Sequence, residues 1–592
     1  MRRQCRRARS SGSIATSSRP ISPRGSARSG GRDKWSDGVL ESWSARLGSI
    51  LQHSEIPTLR FLLMDPVKII IDGREVVSSK GTTVIKAAAD AGVAIPHYCY
   101  HPKLSIAGNC RMCLIEIEKM PKLQIACNTQ VAEGMSVLTQ SPKVLAARKA
   151  VLEFLLINHP VDCPICDQAG ECQLQNYYME HNRQESRFDV GKVHDRKKTI
   201  FGPNVIFDGE RCIKCTRCVR FCQEITHTDE LAVVNRGDHS TIALFDNAVL
   251  DNPLSANVVD ICPVGALTDR DFRFKVRVWY LQKTPSICPG CSTGCNISVE
   301  TYQNKIARFK PRVNEAVNSH WICDEGRYCF HALAGGERLT TPLIRQEGGW
   351  VPATWEQALG AVCAGLSSAK TLAGILSGRN TNEEAFLFAK MIKQFVPAAA
   401  LDVFYQERDL TPTQKILMSP DRSPNFRGAH DMGVGSNGGF AALRDDLIAG
   451  HFAAAYIVGE DLLSVNGEQE SIRRALEKLS FLVVQDTRMS ETTKFAHVIL
   501  PAVHFGEKEG TYTNRKGRVQ RLNASVIAPE GALQDSDIFL RLLAGAGAPQ
   551  SLETPADIFA AIGREIEAYR GLDYESIGLL GAELDRGGGG AS

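Results

Sequence analysis

The alternation of apolar and polar positions predicts a strand hairpin and a helix soon after residue 64. Val67–Asp72 and Glu75–Ser78 alternate as strands on either side of an Asp-Gly turn. Thr83–Ala91 has helical spacing, and a longer amphipathic helix is predicted over Val144–Asn158. This part of the chain is therefore expected to fold as α+β.

Beyond about residue 330 the pattern changes to buried strands that alternate with amphipathic helices, which is typical of parallel α/β layers. The polar, Gly-rich stretch Tyr405–Gly439 is expected to be a long loop or the remnant of an excised insertion. No apolar run reaches about 18 residues, so no membrane span is expected. The expected elements are strands at Thr371–Ser377, Ala454–Gly459 and Leu479–Gln485 and helices at Asn382–Phe395 and Glu468–Glu477.

The length of 592 residues is enough for several domains, each with a core of its own. Residues 1–34 hold nine Arg, one Lys and one Asp, which gives them a net charge of +9. Since the whole chain has a net charge of +3, the remaining residues carry 3 − 9 = −6 and are mildly acidic. No nucleic-acid partner is therefore implied. Residues 1–63 resemble a mitochondrial transit peptide, or they are translated from codons upstream of a true start at Met64. The strand predicted directly after Met64 favours the start at Met64. Cys5 is assigned no role, and the terminal GGGGAS is expected to be disordered.

Sixteen of the 19 cysteines fall between Cys99 and Cys323. The chain is long, lacks a secretory signal and groups its thiols closely, which favours metal ligation in a reducing compartment over disulfides. Thiolates on tight loops suit zinc or iron–sulfur clusters. The four sets are Cys99, Cys110, Cys113 and Cys127; Cys163, Cys166 and Cys172; Cys212, Cys215, Cys218 and Cys222 with Cys262; and Cys288, Cys291, Cys295 and Cys323.

The first set follows the predicted hairpin and helix, as in a β-grasp, plant-type ferredoxin that holds a [2Fe–2S] cluster. Ten residues separate Cys99 from Cys110, where such ferredoxins have about four, so a longer loop is expected. Gly81 and Gly108 offer the backbone freedom that this loop needs. A structural zinc site is the alternative.

The second set has three thiols, so a [4Fe–4S] cluster there needs one more ligand. His159 lies four residues before Cys163 and is the expected donor, although a single histidine near a helix end is more often a surface or capping residue. Replacement of a thiolate by an imidazole makes the cluster less negative and should raise its reduction potential.

The third set begins with the Cys-x2-Cys-x2-Cys-x3-Cys run of bacterial ferredoxins, in which the fourth thiol binds a second cluster. Cys262-Pro263 has the form of the end of a second run, but the positions of its other thiols hold Asn252, Ser255 and Val258. The second cluster is therefore expected to be lost, which leaves Cys222 as a small buried residue. The remaining [4Fe–4S] cluster is expected on Cys212, Cys215, Cys218 and Cys262.

The fourth set has the spacing Cys-x2-Cys-x3-Cys-x27-Cys, which fits either a [4Fe–4S] cluster or a four-thiolate zinc ribbon. Cys329 lies six residues beyond Cys323, close enough to compete as a ligand, but it is expected to serve packing.

Four such sets before an α/β region resemble the large iron–sulfur subunits of respiratory complex I, the G subunits of NADH:quinone oxidoreductases, in their bacterial form. The resemblance runs from about Met64 to Leu533. It rests on HPVDCPICDQAGECQLQ, on RCIKCTRCVRFC with CPVGAL, and on a region similar to molybdopterin oxidoreductases. That region contains ERLTTPLIR, SGRNTNEEAFLFAK and VVQDTRMSETTKFAHVILPAVHFGEKEGTYTNRKGRVQR. The fourth set then matches the [4Fe–4S] site that precedes the molybdopterin fold.

The resemblance implies a subunit that relays electrons from NADH, by way of flavin on a neighbouring subunit, towards quinone. It implies one [2Fe–2S] and three [4Fe–4S] clusters, the fourth lying off the main path. The implied partners are the flavin- and NADH-binding subunit and the quinone-proximal iron–sulfur subunits, and the membrane is reached only through the complex. The implied place is the cytoplasmic side of a bacterial inner membrane, or the mitochondrial matrix side if residues 1–63 are a transit peptide.

The nearest alternative is the catalytic subunit of an NAD-linked molybdenum formate dehydrogenase, which shares the cluster modules. That enzyme needs a metal-ligating Cys or selenocysteine soon after the segment matching SGRNTNEEAF, whereas here Cys363 precedes that segment and no Cys follows it. Molybdopterin is therefore not expected, and neither are catalytic residues. NAD binding is unsupported, because the GxGxxG match at Gly433–Gly438 lies inside the polar stretch. A non-catalytic scaffold with structural clusters is the third possibility.

The expected organisation is a multidomain α+β and α/β chain. Its expected parts are a basic tail or misassigned start (1–63), a [2Fe–2S] ferredoxin domain (64–143), a [4Fe–4S] segment with one histidine and three cysteine ligands (144–183), a ferredoxin-like [4Fe–4S] domain (184–280), a molybdopterin-oxidoreductase-type [4Fe–4S] domain (281–337) and a reduced molybdopterin-oxidoreductase-like α/β region (338–592).

Overall fold

The computed structural model describes residues 65–584 except 182–184, 247, 437 and 465–466. The expectations for residues 1–63, including Cys5, and for the terminal GGGGAS lie outside the described residues. Within the described ranges, no helix is both long and apolar enough to cross a membrane.

The first domain is a five-stranded mixed sheet packed against one helix, as the sequence predicts. Strand β1 pairs antiparallel with β2 through the Asp72-Gly73 turn and parallel with β5, and the sheet order is β2-β1-β5-β3-β4. Helix α1 buries Val84, Ile85 and Ala88 against this sheet. The elements are β1 (Pro66–Ile71), β2 (Arg74–Ser79), α1 (Val84–Asp90), β3 (Leu114–Ile117), β4 (Gln124–Ile125) and β5 (Ser136–Leu138).

Two helices follow, and the second cysteine set lies between them. Helix α2 (Pro142–Leu156) begins two residues before the predicted start, because the Ser141 hydroxyl accepts a hydrogen bond from the Val144 N–H and proline suits the first helical turn. A 3₁₀ turn at Cys163–Ile165 and helix α3 (Gln173–His181) complete this segment.

The third and fourth cysteine sets lie on short elements joined by loops. In the third domain, β10 pairs with β7 and β7 with β6, while β8 and β9 form a separate hairpin. In the fourth, β11, β12 and β13 form an antiparallel meander. The elements are β6 (Thr199–Ile200), β7 (Val205–Phe207), α4 (Arg217–Phe221), a π-helical turn (Cys222–Thr226), β8 (Leu231–Val234), β9 (Thr241–Leu244), α5 (Asn257–Ile261), β10 (Leu267–Asp269), β11 (Gln282–Ile287), β12 (Asn296–Tyr302), β13 (Lys305–Pro311), α6 (Asp324–Tyr328) and α7 (Phe330–Ala334).

The C-terminal region contains a seven-stranded sheet of order β15-β14-β20-β19-β18-β16-β17, in which β17 to β20 run parallel with β16. Helices cover both faces and form two separate cores, as the alternating pattern predicts. Helix α9 begins at Asn382 because Thr381 and Glu384 form a capping box. The elements of the sheet and its helices are β14 (Leu343–Gln346), β15 (Gly349–Pro352), α8 (Trp355–Ser368), β16 (Leu372–Leu376), α9 (Asn382–Phe395), β17 (Ala400–Val403), α10 (Pro412–Lys415), α11 (Phe426–Asp431), α12 (Gly439–Ala449), β18 (Ala454–Val458), α13 (Gln469–Lys478), β19 (Phe481–Asp486) and β20 (Val498–Pro501).

A smaller antiparallel sheet and three helices follow the main sheet. Helix α14 packs against α9, and β22 contacts β11 of the fourth domain. The remaining elements are β21 (Gly510–Thr513), β22 (Arg518–Leu522), α14 (Asp535–Gly545), α15 (Pro555–Glu565), α16 (Tyr574–Ile577) and β23 (Ala582–Glu583).

The stretch Tyr405–Gly439 is not the structureless loop that the sequence suggests. It contains helices α10 and α11, and Leu417 and Met418 from this stretch are buried against the fourth cysteine set. The segment has a structural role because it closes the side of that set which the fourth domain leaves open.

Candidate iron–sulfur sites

The four cysteines of the first set lie together in the loops after α1: Cys99, Cys110 and Cys113 precede β3, and Cys127 follows β4. Cys110 donates a hydrogen bond to the sulfur of Cys99, and Cys113 donates to Cys127. These contacts lower the pKa of Cys99 to about 5 and also lower the pKa of Cys127, so each pair stabilises one thiolate.

The long gap of the first set is accommodated as the sequence predicts. Gly108, inside the loop between Cys99 and Cys110, has a φ of +62°, which favours glycine, and Gly81, before α1, has a φ of +84°. At Gly108 a Cβ would also lie 3.2 Å from the Cδ1 of Ile125. The loop between Cys99 and Cys110 therefore turns tightly enough to return the second thiol to the first.

The second set places His159, Cys163 and Cys172 on the wall of one cavity of about 770 Å³, with Cys166 buried beside them. Burial lowers the pKa of His159 to about 4, so its ring is neutral at pH 7. Its Nδ1 atom is buried without a hydrogen-bond partner among the described residues. A neutral imidazole beside three thiols is the donor set that a [4Fe–4S] cluster with one histidine ligand requires.

The third set surrounds a small space of about 20 Å³, which is lined by Cys212, Cys215, Cys218 and Cys262. Lys214 and Thr216 adopt left-handed conformations with φ of 56° and 61°, and these turns point successive thiols into one space. Burial raises the pKa of Cys215 to about 11, so this thiol would be protonated in the absence of a metal.

Side chains fill the place of the second ferredoxin cluster. Cys222, Ser255 and Val258 are fully buried, and the Asn252 amide donates to Glu230 Oε1 at 2.8 Å. Burial and the nearby Glu230 carboxylate raise the pKa of the Cys222 thiol, which therefore stays protonated. The predicted burial of Cys222 is confirmed, and its lack of any part in iron binding stays a prediction.

The fourth set lines a small space of about 10 Å³ with Cys288, Cys291, Cys295 and Cys323. A Cβ on Gly326 would lie 2.9 Å from the Cys288 sulfur, so the close approach of the backbone requires glycine there. Cys288 donates a hydrogen bond to Cys329. Cys329 therefore contacts a predicted ligand, whereas the sequence analysis assigned Cys329 to packing.

The cavities bear on the choice between clusters and zinc. Zinc binds its thiolates directly at about 2.3 Å and needs no space between them, whereas a [4Fe–4S] cube occupies the centre of its ligand set. Within the described ranges, no three His, Cys, Asp or Glu side chains are gathered closely enough to hold a single metal ion. Four thiols that line one space without converging on a single point, as in the third and fourth sets, are the arrangement that a cluster between its ligands requires.

The third set is in contact with the other three. Arg220 Nη2 donates to the carbonyl of Cys99 at 2.6 Å and to that of Cys215 at 3.2 Å, which joins the first set to the third. Gly265, three residues after Cys262, lies against the second set, where a Cβ would be 2.3 Å from the Cys166 sulfur.

The fourth set reaches the third through the residue after its last cysteine. The carboxylate of Asp324 accepts hydrogen bonds from the Ser255 hydroxyl at 2.5 Å and from the Ala256 N–H at 3.0 Å. This contact falls on the loop that has lost the second ferredoxin cluster. Cysteines from all four sets belong to one continuous buried core.

A further crevice of about 490 Å³ lies at the carboxyl ends of β16, β18 and β19, where ligands bind in open α/β sheets. Its cations already have partners inside the chain. Arg379 Nη1 lies 3.3 Å from Glu460, and Lys508 Nζ lies 2.7 Å from Glu384 and 2.9 Å from Asp535. Sequence reasoning assigned these residues no role, although Glu384 and Lys508 stand inside segments that carry the resemblance.

Five family models match the chain in an unbroken order. They are a 2Fe-2S iron-sulfur cluster binding domain at 64–142, the NADH-ubiquinone oxidoreductase-G iron-sulfur binding region at 148–187, the ferredoxin-like domain of NADH-quinone oxidoreductase subunit 3 at 202–268, the molybdopterin oxidoreductase Fe4S4 domain at 281–334 and molybdopterin oxidoreductase at 338–400 and 422–544. This order agrees with the order of domains expected from the sequence.

Relatives with curated names agree with these matches. The chain is 41% identical to the G subunit of the NADH-quinone oxidoreductase of Rickettsia prowazekii over 333 residues, which is 55% of this chain and 48% of the relative. It is 47% identical to the mitochondrial NADH-ubiquinone oxidoreductase 78 kDa subunit of Neurospora crassa over 50% of this chain and 39% of the relative.

The chain thus spans about half the length of the curated relatives that it matches. Among solved structures, a chain of an NAD⁺-reducing [NiFe]-hydrogenase in the H₂-reduced state is 30% identical and covers 36% of this chain and 91% of its own, but its TM-score of 0.33 is too low to support an argument. The order of the matched domains and the identity over about half of the chain show that this protein is similar over that part to the G subunits of NADH-quinone oxidoreductases.

Proposed function

We propose that the chain is the electron-relaying iron–sulfur subunit of an NADH:quinone oxidoreductase, and that it passes electrons from NADH and flavin on a neighbouring subunit towards quinone. The observation that carries the proposal is the contact of the third cysteine set with the other three. Electron tunnelling falls steeply with distance, so redox sites must be neighbours to act as a path.

The proposed ligands are those expected from the sequence. The first set would hold a [2Fe–2S] cluster, and the other three would each hold a [4Fe–4S] cluster, with His159 completing the second. Such clusters supply reversible one-electron transfer. The chain supplies the thiols, most of which are buried, and holds the sets close together.

We propose that the fourth set is a branch. Its contact with the third set runs through Asp324 and the loop at Ser255, where a ferredoxin cluster has been replaced by side chains. The first and second sets instead meet the third at residues next to its proposed ligands, namely Cys215 and Gly265. The shorter route therefore joins the first, third and second sets.

We propose that the α/β region binds no molybdopterin. The pterin cofactor is a polyanion, and of the three Lys and Arg side chains that line the crevice two, Arg379 and Lys508, are paired with buried carboxylates, while Arg488 bonds carbonyl oxygens. Asp486 also lines the crevice, and although burial raises its pKa to about 6, the carboxylate is still mostly ionised at pH 7 and adds negative charge there. The region would instead cover the fourth set and offer surface to partner subunits.

The proposed partners are the flavin- and NADH-binding subunit and the quinone-proximal iron–sulfur subunits, and the proposed place is the cytoplasmic side of a bacterial inner membrane. The test is elemental and spectroscopic. The purified chain should contain about fourteen iron atoms, from one binuclear and three tetranuclear clusters, and no stoichiometric molybdenum or tungsten. In the assembled complex, NADH should reduce clusters that are seen by paramagnetic resonance.

Three results would contradict the proposal. Bound pterin with molybdenum would favour the formate dehydrogenase alternative. Clusters that NADH does not reduce in the assembled complex would favour a scaffold. Zinc in place of iron at any of the four sets would overturn the ligand assignment for that set.

A further inference from the structure

Six arginines among the described residues are buried, and they fall into two groups. Arg211, Arg308 and Arg327 each form an ion pair with at least one carboxylate. The other three, Arg148, Arg217 and Arg220, are 0%, 5% and 7% exposed and form no ion pair with a carboxylate of any described residue.

The second group bonds almost entirely to carbonyl oxygens. Arg217 donates to the carbonyls of Tyr100 at 2.5 Å and Ile261 at 3.0 Å. Arg148 makes a single hydrogen bond, from Nη2 to the carbonyl of Leu114 at 3.3 Å, and its Nε and Nη1 are buried without partners among the described residues.

Each of these carbonyls belongs to a predicted cluster ligand or to a residue close to one. Arg220 bonds the carbonyls of Cys99 and Cys215 and that of Ser105, in the loop between Cys99 and Cys110, and Arg217 bonds those of the residues beside Cys99 and Cys262. Leu114, which Arg148 bonds, follows Cys113. The three guanidinium groups therefore gather around the first and third sets, and two of them lie between those sets.

An arginine is always charged in a protein, and a buried charge without a counter-ion is strongly destabilising. A cluster held by four thiolates is itself an anion, with a net charge of about two negative units when oxidised. Such an anion would account for three arginines that have no carboxylate and for the open N–H groups of Arg148.

We propose that Arg148, Arg217 and Arg220 are the charge partners of the clusters at the first and third sets and hold the reduction potentials of those clusters up. The inference rests on the proposed function. Reduction adds one electron, and hence one negative charge, to the cluster, and a fixed positive charge nearby stabilises the reduced form over the oxidised form. Arg217 and Arg220 act on both sets, so they raise the two potentials together.

The test is a redox titration of the full-length chain with its clusters, followed by paramagnetic resonance of each cluster. We expect Arg217→Gln to lower the ratio of reduced to oxidised cluster about tenfold at a fixed potential, which is about 59 mV for a one-electron couple. The shift should be seen at both the first and the third sets. Arg148→Gln should shift the first set alone.

Two variants separate charge from packing. Arg217→Lys keeps the charge and should restore most of the potential, although it loses the forked geometry. Arg308→Gln removes a buried arginine that is paired with Glu171 and Glu300, and it should leave the first and third sets unshifted.

The proposal is overturned if Arg217→Gln keeps its clusters at wild-type potentials, or if Arg217→Lys lowers them as far as Gln does. If the Gln variant loses clusters, the Lys variant decides: retained clusters at near wild-type potentials support the charge role, and their loss overturns it. If the chain holds no iron at these sets at all, the proposed function fails first, and iron analysis distinguishes that result.

Discussion

Replacement of Gly265 by alanine tests the contact between the second and third sets most directly. The new Cβ would lie 2.3 Å from the Cys166 sulfur and 3.1 Å from the Cβ of Gln168. Atoms of this kind normally stay more than 3.4 Å apart, so one side must move by more than an ångström. The backbone at Gly265 is not in the left-handed region, and the effect would therefore come from the contact alone.

The expected cost follows from overpacking of a rigid interior. Extra methyl groups in a filled core destabilise by about 1–3 kcal/mol, and here the neighbour is a proposed iron ligand that cannot move freely. We therefore expect Gly265→Ala to lower the midpoint of thermal unfolding and to displace Cys166. About four irons per chain should be lost, or the resonance signal of the second cluster should change.

The matched control is Gly360→Ala, in the middle of α8. No atom lies within 4 Å of the Cβ that it would add, and its φ is ordinary. Alanine should stabilise this helix by about 0.5–1 kcal/mol and leave the iron content unchanged. If Gly265→Ala binds all of its iron and gives an unaltered spectrum, then the close approach of the two sets does not constrain the second cluster.

Three further outcomes are expected. His159→Cys should keep a [4Fe–4S] cluster but lower its potential, because a thiolate replaces a neutral ring; an unchanged potential would exclude His159 as ligand. Cys222→Ala should leave iron content near wild type, and a loss of about four irons would contradict its spectator role. Asp486→Asn should raise the free energy of unfolding by about 3 kcal/mol at pH 8 and by less at pH 5, as measured by thermal unfolding. The reason is that the raised pKa of Asp486 makes the wild type lose stability as the pH rises towards about 6. An equal gain at both pH values would refute this.

Elements with local signals were predictable from the sequence. Helix α9 was predicted at its observed bounds, since a capping box fixes its start and its apolar positions fix its face. The cysteine sets were predictable for a similar reason, because ligand spacing along a loop is a local property. Strand β16 was predicted within one residue at each end.

The parts that sequence reasoning missed depend on contacts between distant residues. The stretch Tyr405–Gly439 lacks periodicity, and only the fold shows that Leu417 and Met418 close the fourth cavity. Arg220 and Cys99 are 121 residues apart, so no pattern along the chain relates them. A buried arginine also looks like any surface arginine until its surroundings are known.

The shared core has a consequence for how the iron–sulfur half is stabilised. Cysteines of all four sets pack in one buried cluster with Phe221, Trp321 and Phe505, so the sets share one folded interior. Burial raises the pKa of Cys172 and Cys215 to about 11, which means that an unfilled set would present protonated thiols and unpaired guanidinium groups to an apolar interior. Cluster insertion removes both costs at once, because iron binds the thiolates and the negative charge of the cluster neutralises the arginines. The metal sites and the fold of this half are therefore expected to form together.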